Sequence, residues 1–317
     1  MKLVGLMLVR NEDWILGFSL RAALMWCDQV LVMLDTCTDR SADIWTEVSR
    51  EVSVGRVKVS GAHFPATTGW EEMLVRQQML EIAVHQLEAT HCAIIDADEC
   101  LSGNLLEVAS RFDEAPIRKI IAQHATRPGD LVSAPMVSPY DVNGPSRLRV
   151  HPLNTRRIDG YFGRSSGISL AFRVGRDVRW QNAADGYTLH HRHPHGSTPT
   201  HAIGGTNEDQ RIAAGGVIHW QYASKRRLQA KALWYKLVEQ IQFPGRSTPE
   251  DLNEKYGWTL RTDGMEAIPV PDTWIAPYAG LLKHLNLDAE PWQLAEARRL
   301  AVSHPHALKG LDTYGLL

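Results

Sequence analysis

Three carboxylates fall within four positions at the end of a short apolar run, His91-Cys92-Ala93-Ile94-Ile95-Asp96-Ala97-Asp98-Glu99-Cys100. Like charges this close raise one another's pKa or hold a cation between them. Asp96 and Asp98 are two positions apart at a strand end, so alternation along a strand puts both side chains on one side. Two hard carboxylates facing one way suit Mg2+ or Mn2+, which keep open positions for water and phosphate oxygens. For an Asp-x-Asp taken alone, a solvated acidic turn that caps the next helix explains the pattern equally well.

Polar groups behind two earlier apolar runs shift that balance. Arg10-Asn11-Glu12 follow LVGLMLV (3–9), and Asp35 closes QVLVMLD (29–35), with Thr38 and Ser41 just beyond. Each has a plain explanation as a turn or helix-start residue. Their common position, directly after an apolar run, is the stronger signal.

The elements that position these groups alternate. LVGLMLV (3–9), QVLVMLD (29–35), GRVKVSG (55–61) and CAIID (92–96) read as buried strands. Between them, Trp14, Phe18, Ala22 and Met25 recur at helical spacing. Ser41 is the expected cap of a second helix, and residues 70–87 place Met73, Leu74, Met79, Leu80 and Val84 on one face of a third. Strand–helix repetition with nearly continuous apolar strands predicts a parallel sheet covered on both faces. Ligands bind such sheets beyond the carboxyl ends of the strands. Further on, LVSAPMV (131–137), LAFRV (170–174) and GGVIHWQYAS (215–224) read as strands, 225–241 as a basic amphipathic helix, and 273–286 and 291–302 as packed helices.

In order and spacing, LMLVRNE, VLVMLDTCTDRSADI, Arg76-Gln77 and IIDADE resemble the family 2 type of GT-A glycosyltransferases over residues 1–105. LAFRV and VIHWQYASKRRLQAKALWYK resemble that family's later arginine strand and its histidine strand with a basic helix. The resemblance implies an α/β fold of GT-A type, Rossmann-like, with a mostly parallel sheet and helices on both faces, to which the sequence itself adds a C-terminal helical tail. Its divisions would be a donor-binding half over 1–105, an acceptor-binding and metal-completing half over 106–245, and a helical extension over 246–317. It further implies a nucleotide-sugar donor, a UDP-sugar first among them, and Mn2+ or Mg2+ as cofactor. Arg10, Asn11 and Glu12 would line the nucleotide pocket, Asp35 would contact the base, and Arg76 would neutralise diphosphate or hold Asp96. Asp98 would ligate the metal, Asp96 would reach the ribose or a metal-bound water, and His219 would complete the metal site.

Breaking a sugar–phosphate bond leaves negative charge on the departing diphosphate, which a cation stabilises. If the anomeric centre inverts, a general base must deprotonate the acceptor hydroxyl. Where many relatives carry His-Glu or Glu-Asp, this chain reads ADGYTLHHRHPHG (184–196). Asp185 is the first choice of base, with Glu208-Asp209, a histidine of this run, or a retaining reaction as alternatives. The five histidines between His190 and His201 lack helical HxxxH spacing, which disfavours zinc.

Between Arg147 and Arg179 stand eight arginines against Asp159 and Asp177. A solvated face explains them, and so does a polyanionic acceptor contacted by Arg156, Arg157 and Arg173, with Trp220 stacking on a ring. Hydroxymethylated bases of phage-like DNA are one such acceptor, and a non-catalytic nucleic-acid-binding protein is the rival from another class. The absence of GxGxxG and Walker A sequences disfavours a dehydrogenase and a P-loop NTPase. Net charge is −2 and the four cysteines form no CxxC pair, so no global field and no zinc-ligand spacing stand out. The apolar run at 3–9 is too short to span a bilayer, so a cytoplasmic protein is expected.

Overall fold

The structure is a computed structural model of the 317-residue chain. It describes all residues except 53–54, 63–71, 107–114, 138, 142–147, 151–167, 181–192, 205–213, 258–259 and 261–267. Asp185, Glu208-Asp209, Arg156 and Arg157 lie outside the described residues.

Strands β1 (Leu3–Val9), β2 (Gln29–Asp35), β3 (Val57–Ala62) and β4 (His91–Asp96) alternate with helices α1 (Leu16–Ala23), α2 (Ser41–Glu51) and α3 (Glu72–His85). A short β5 (Glu99–Leu101) comes next, then α4 (Pro116–His124), β6 (Asp130–Ala134), β7 (Met136–Val137), β8 (Pro139–Asp141), β9 (Leu148–Val150), β10 (Ile168–Arg173), β11 (Thr198–Ala202) and β12 (Val217–His219). Helices α5 (Lys225–Gln242) and α6 (Pro249–Gly257), strand β13 (Ile268–Pro269), and helices α7 (Asp272–Ile275) and α8 (Trp292–Ser303) complete the order.

The main sheet runs β11-β6-β10-β4-β1-β2-β3. Strands β1 to β4 are parallel, and β10 runs antiparallel to both β4 and β6. The expected mostly parallel α/β sheet is therefore present, with β10 reversed inside it. Alternation along the strands sorts the core into two faces. Leu3, Met7, Val30, Val32, Ala93 and Ile95 pack with α1 and α4, while Val4, Leu6, Leu31, Met33, Cys92 and Ile94 pack with α3. With water excluded from both faces, each strand must be apolar at every position, which is why the runs are continuous in the sequence.

Among the described residues, two smaller sheets run β5-β12-β7 and β13-β9-β8. A separate apolar cluster joins Leu233, Trp234 and Leu237 of α5 to Leu252 of α6 and Ala297 and Leu300 of α8.

Three local expectations change. Ser41 is the first helical residue rather than the cap, because its Oγ accepts from the Glu12 amide at 3.0 Å while Asp39 Oδ1 accepts the Ser41 amide at 2.9 Å. The strand expected over 215–224 is only three residues long, and a tight turn at Trp220–Ala223 succeeds it. The helix expected over 273–286 is the short α7 and then single 3-10 turns.

Candidate functional site

The polar groups singled out after β1, β2 and β4 meet at the carboxyl edge of the parallel strands. Asn11 takes a left-handed backbone at φ 55°. Its Oδ1 accepts the Thr38 amide at 2.7 Å and the Asp39 amide at 3.3 Å, so it braces the loop after β2. The Asp13 amide donates to Asp39 Oδ2 at 2.9 Å, a second tie between the same loops. Asp35, the last residue of β2, faces the Arg10 guanidinium at 3.6 Å and accepts from Thr36 Oγ1 at 2.8 Å.

Arg76 comes to the same edge from the first turns of α3. Its Nε donates to Glu72 Oε1 at 2.7 Å and its Nη2 to Asp96 Oδ1 at 2.8 Å. The side chain is 5% exposed, and burial, which disfavours its charge, is outweighed by the carboxylates of Glu72 and Asp96. Its Nη1 is enclosed and has no hydrogen-bond partner.

The strand alternation invoked for Asp96 and Asp98 stops at Asp96. The chain turns through Ala97 and Asp98, and β5 begins at Glu99, whose carboxylate accepts the Asp96 amide at 3.1 Å. Asp98 instead faces His219, with Oδ2 to Nε2 at 3.1 Å. β12 delivers His219 by pairing antiparallel with β5, His219 opposite Glu99, and the Trp220 amide closes on the Asp98 carbonyl at 2.9 Å. On its other side β12 packs close to the residue before β7, which glycine permits: a Cβ at Gly216 would sit 2.1 Å from the Pro135 carbonyl oxygen.

Burial works to raise Asp98, but His219, through its charge and hydrogen bond, and Lys231 hold it down at about 2. The carboxylate is thus ionised across the neutral range. Glu12 goes the opposite way. Removal from water, reinforced by Asp98, pushes it up to about 8, against the pull of Lys231, the Trp14 indole N–H and Arg227. One carboxyl of the pair carries a proton at neutrality and the other does not.

The sequence marks 225–241 only as a basic amphipathic helix, without singling out Arg227 or Lys231. In the structure Arg227, Lys231 and Tyr235 stand at i, i+4 and i+8 on α5: Lys231 and Arg227 pull Glu12 down, Lys231 pulls Asp98 down, and burial with the nearby carboxylates pushes the Tyr235 phenol up. Arg227 also lies over the Trp14 ring at 3.9 Å and donates to the Ala289 carbonyl at 2.8 Å. Lys231 donates to Gln221 Oε1. The four-residue spacing was the available signal, but nothing in the sequence said which face of α5 met the strand ends.

Two expected contacts are corrected. Trp220 is fully buried, with its Nε1 donating to Cys100 Sγ at 3.2 Å and its ring edge-on to Phe18 at 5.5 Å. It is a core residue and cannot stack on an acceptor. Arg173 pairs with His91, at the start of β4, because β10 runs antiparallel. It lies at the amino edge of the parallel strands, away from Asp96. Nor do the described members of the histidine run converge. His193 bridges Ser169 and Ser197 at 3.2 Å each, His195 pairs through its backbone with Arg179, and His201 stacks on His124 at 3.8 Å.

Whether the edge fits a divalent cation is decided by its donor set. Asp98 and His219 offer a buried ionised carboxylate and an imidazole whose Nδ1 is enclosed without a partner. Among the described residues no three His, Cys, Asp or Glu side chains close on one point. The pair would suit an ion only if substrate and water supplied the remaining oxygens.

No family model matches the sequence, and no curated protein matches it. Among solved structures, the chain is similar to residues 1–349 of Staphylococcus aureus TarS in complex with UDP-GlcNAc. That match has 15% identity and a TM-score of 0.42, over 96% of this chain and 89% of the other. Against a longer TarS chain the figures are 16% and 0.37, and this chain spans 54% of its length. GalNAc-T7 with UDP, GalNAc and Mn2+ matches at 10% identity and a TM-score of 0.37, over 90% of this chain and 58% of the other. All three TM-scores fall below 0.5, and the functional assignment rests on the geometry of the edge.

Proposed function

We propose that the protein is a glycosyltransferase of GT-A type that moves a sugar from a nucleotide-sugar donor, a UDP-sugar first among them, to a hydroxyl acceptor. The observation that supports this best is the meeting of the Arg76–Asp96 and Asp98–His219 pairs beyond β4, each with an enclosed nitrogen lacking a partner. An unpaired buried guanidinium N–H beside carboxylates suits a ligand that is anionic and binds cations, as a diphosphate does.

In this reading Asp35 receives the base, Arg76 neutralises the diphosphate through its free Nη1, and Lys231 adds a fixed positive charge from α5. Asp98 and His219, with Asp96 beside them, would hold Mn2+ or Mg2+, and such an ion supplies Lewis-acid stabilisation of the departing diphosphate. Asp185 takes the acceptor proton, and Arg156 and Arg157 meet an anionic acceptor; these roles are carried from the sequence. Among the described residues no helix is long and apolar enough to cross a membrane.

The test is a panel of nucleotide sugars with and without Mn2+, read by the unfolding midpoint and by release of nucleoside diphosphate. One donor should raise the midpoint by mass action and be turned over. Asp98→Ala should keep the fold and lower that turnover by a factor on the order of a hundred or more. A panel in which no donor shifts the midpoint and none is cleaved overturns the reading.

A further inference from the structure

The segment 286–296 is fastened to the residues just beyond β1. The Asn286 amide donates to the Trp14 carbonyl at 2.7 Å, and Arg227, which covers the Trp14 ring, donates to the Ala289 carbonyl at 2.8 Å. Arg226 binds the Glu290 carboxylate at 3.0 Å. These ties bring the first residue of α8, Trp292, beneath the Arg10 guanidinium at 5.3 Å from the ring centre.

Arg10 is thus held on two sides, by the Asp35 carboxylate at 3.6 Å and by the Trp292 face, while 28% of its side chain stays exposed. Trp292 is itself set by the Trp234 ring of α5, edge-on at 4.9 Å. Its Nε1 is enclosed without a hydrogen-bond partner, so ring packing and the guanidinium are what orient it. A guanidinium backed by an aromatic ring on one face keeps its other face and its N–H edge for a planar ligand. A flexible arginine freed from that backing would lose the arrangement through rotamer freedom.

We propose that Trp292 of the C-terminal helix is a positioning residue for nucleotide recognition, fixing Arg10 beside Asp35 so that both groups meet the nucleoside half of a nucleoside diphosphate. This rests on the glycosyltransferase reading above and extends the donor site to a segment that the resemblance did not cover. Arg10 is the contacting group; Trp292 acts through it.

The experiment compares wild type with Trp292→Ala, Trp292→Leu and Trp292→Phe, each also in an Arg10→Met background. Titration calorimetry below the unfolding temperature measures binding of UDP, GDP, CDP and ADP, and separately of inorganic pyrophosphate, all with Mn2+. Loss of the aromatic face in the Ala and Leu variants should weaken the preferred nucleoside diphosphate about 3- to 30-fold. Pyrophosphate affinity should stay within twofold of wild type. Phe should recover most of the loss, and Trp292→Leu should cost no further affinity once Arg10 is Met. In turnover, the Leu variant should raise the donor KM and leave kcat at saturation unchanged.

Equal weakening of pyrophosphate and nucleoside diphosphate would mean a general disturbance of the site and overturns the proposal. So would undiminished binding in the Leu variant, or a full additional loss in the Arg10→Met background. Wild-type protein that binds none of the four nucleoside diphosphates overturns this proposal together with the reading it rests on.

Discussion

Arg76 offers the sharpest test of how the carboxyl edge is held together. It is 5% exposed and satisfies Glu72 and Asp96 at 2.7 and 2.8 Å. Arg76→Met preserves most of the volume but leaves two carboxylates facing each other's field without the cation between them. Removing one partner of a largely buried ion pair costs about 3–5 kcal/mol, and the 36% exposure of the Asp96 side chain places the cost toward the lower end. For a chain of 317 residues each kcal/mol moves the unfolding midpoint by about 2 °C, so a fall of about 6–10 °C is expected. Neutralising the partners as well, in Glu72→Gln/Arg76→Met/Asp96→Asn, should recover part of that fall, since two like charges then no longer face each other. Arg76→Lys should lie between wild type and Met, keeping the charge but losing the two-pronged geometry. Thermal unfolding tracked by circular dichroism reads all four proteins. A single variant within about 2 °C of wild type, or a triple variant less stable than the single one, would refute the ion-pair reasoning.

Asp35→Ala should raise the donor KM on the order of tenfold while leaving turnover at saturating donor unchanged, as loss of uniform binding does; a fall in kcat alone would contradict this. Glu12, pushed up from 4.5 to about 8, keeps its proton in the folded chain after the unfolded chain has lost it. Its contribution to stability is therefore present below about pH 4.5 and is lost as pH rises through about 8. Denaturant titrations in EDTA should show that decline, on the order of 3 kcal/mol after allowance for screening, and Glu12→Gln should flatten it. Trp220→Ala should cost about 3–5 kcal/mol of stability, and an acceptor KM that changes without such a loss would restore the residue to the binding surface.

The sequence carried the first half of the molecule well, for a physical reason. β1 and β2 are covered on both faces, so apolar runs at 3–9 and 29–35 mark them end to end, and the first polar residue beyond each falls on the rim. Asp96 was legible by the same logic, while Arg76, on a helix, was placed by the family resemblance alone. Arg173 was misplaced because LAFRV reads alike in either direction, and only the antiparallel pairing with β4 sends its arginine to the far edge. Trp220 looked accessible next to His219, yet the three-residue β12 turns at once into a 3-10 helix that buries the indole against Phe18. The contributions of Arg227, Lys231 and Tyr235 depended on the rotation of α5 about its axis, which tertiary packing sets and a periodicity does not. The seat of Trp292 against Arg10 joins residues from opposite ends of the chain, and no local pattern encodes such a meeting.

The clasp between Asn11 and the loop after β2 has a consequence for the order in which the site is assembled. Asn11 with Thr38, Glu12 with Ser41 and Asp13 with Asp39 close over 26 to 29 positions, within a single strand–helix–strand unit. The Asp98–His219 contact closes over 121. Loop closure costs more entropy as the span grows, and long-range pairings form later. During synthesis the first rim can therefore snap shut while the ribosome is still far from His219, leaving the carboxylate Asp98 to wait for its imidazole. Pulse-labelled hydrogen exchange on refolding protein would display this as early protection of the Thr38 amide and late protection of the Trp220 amide.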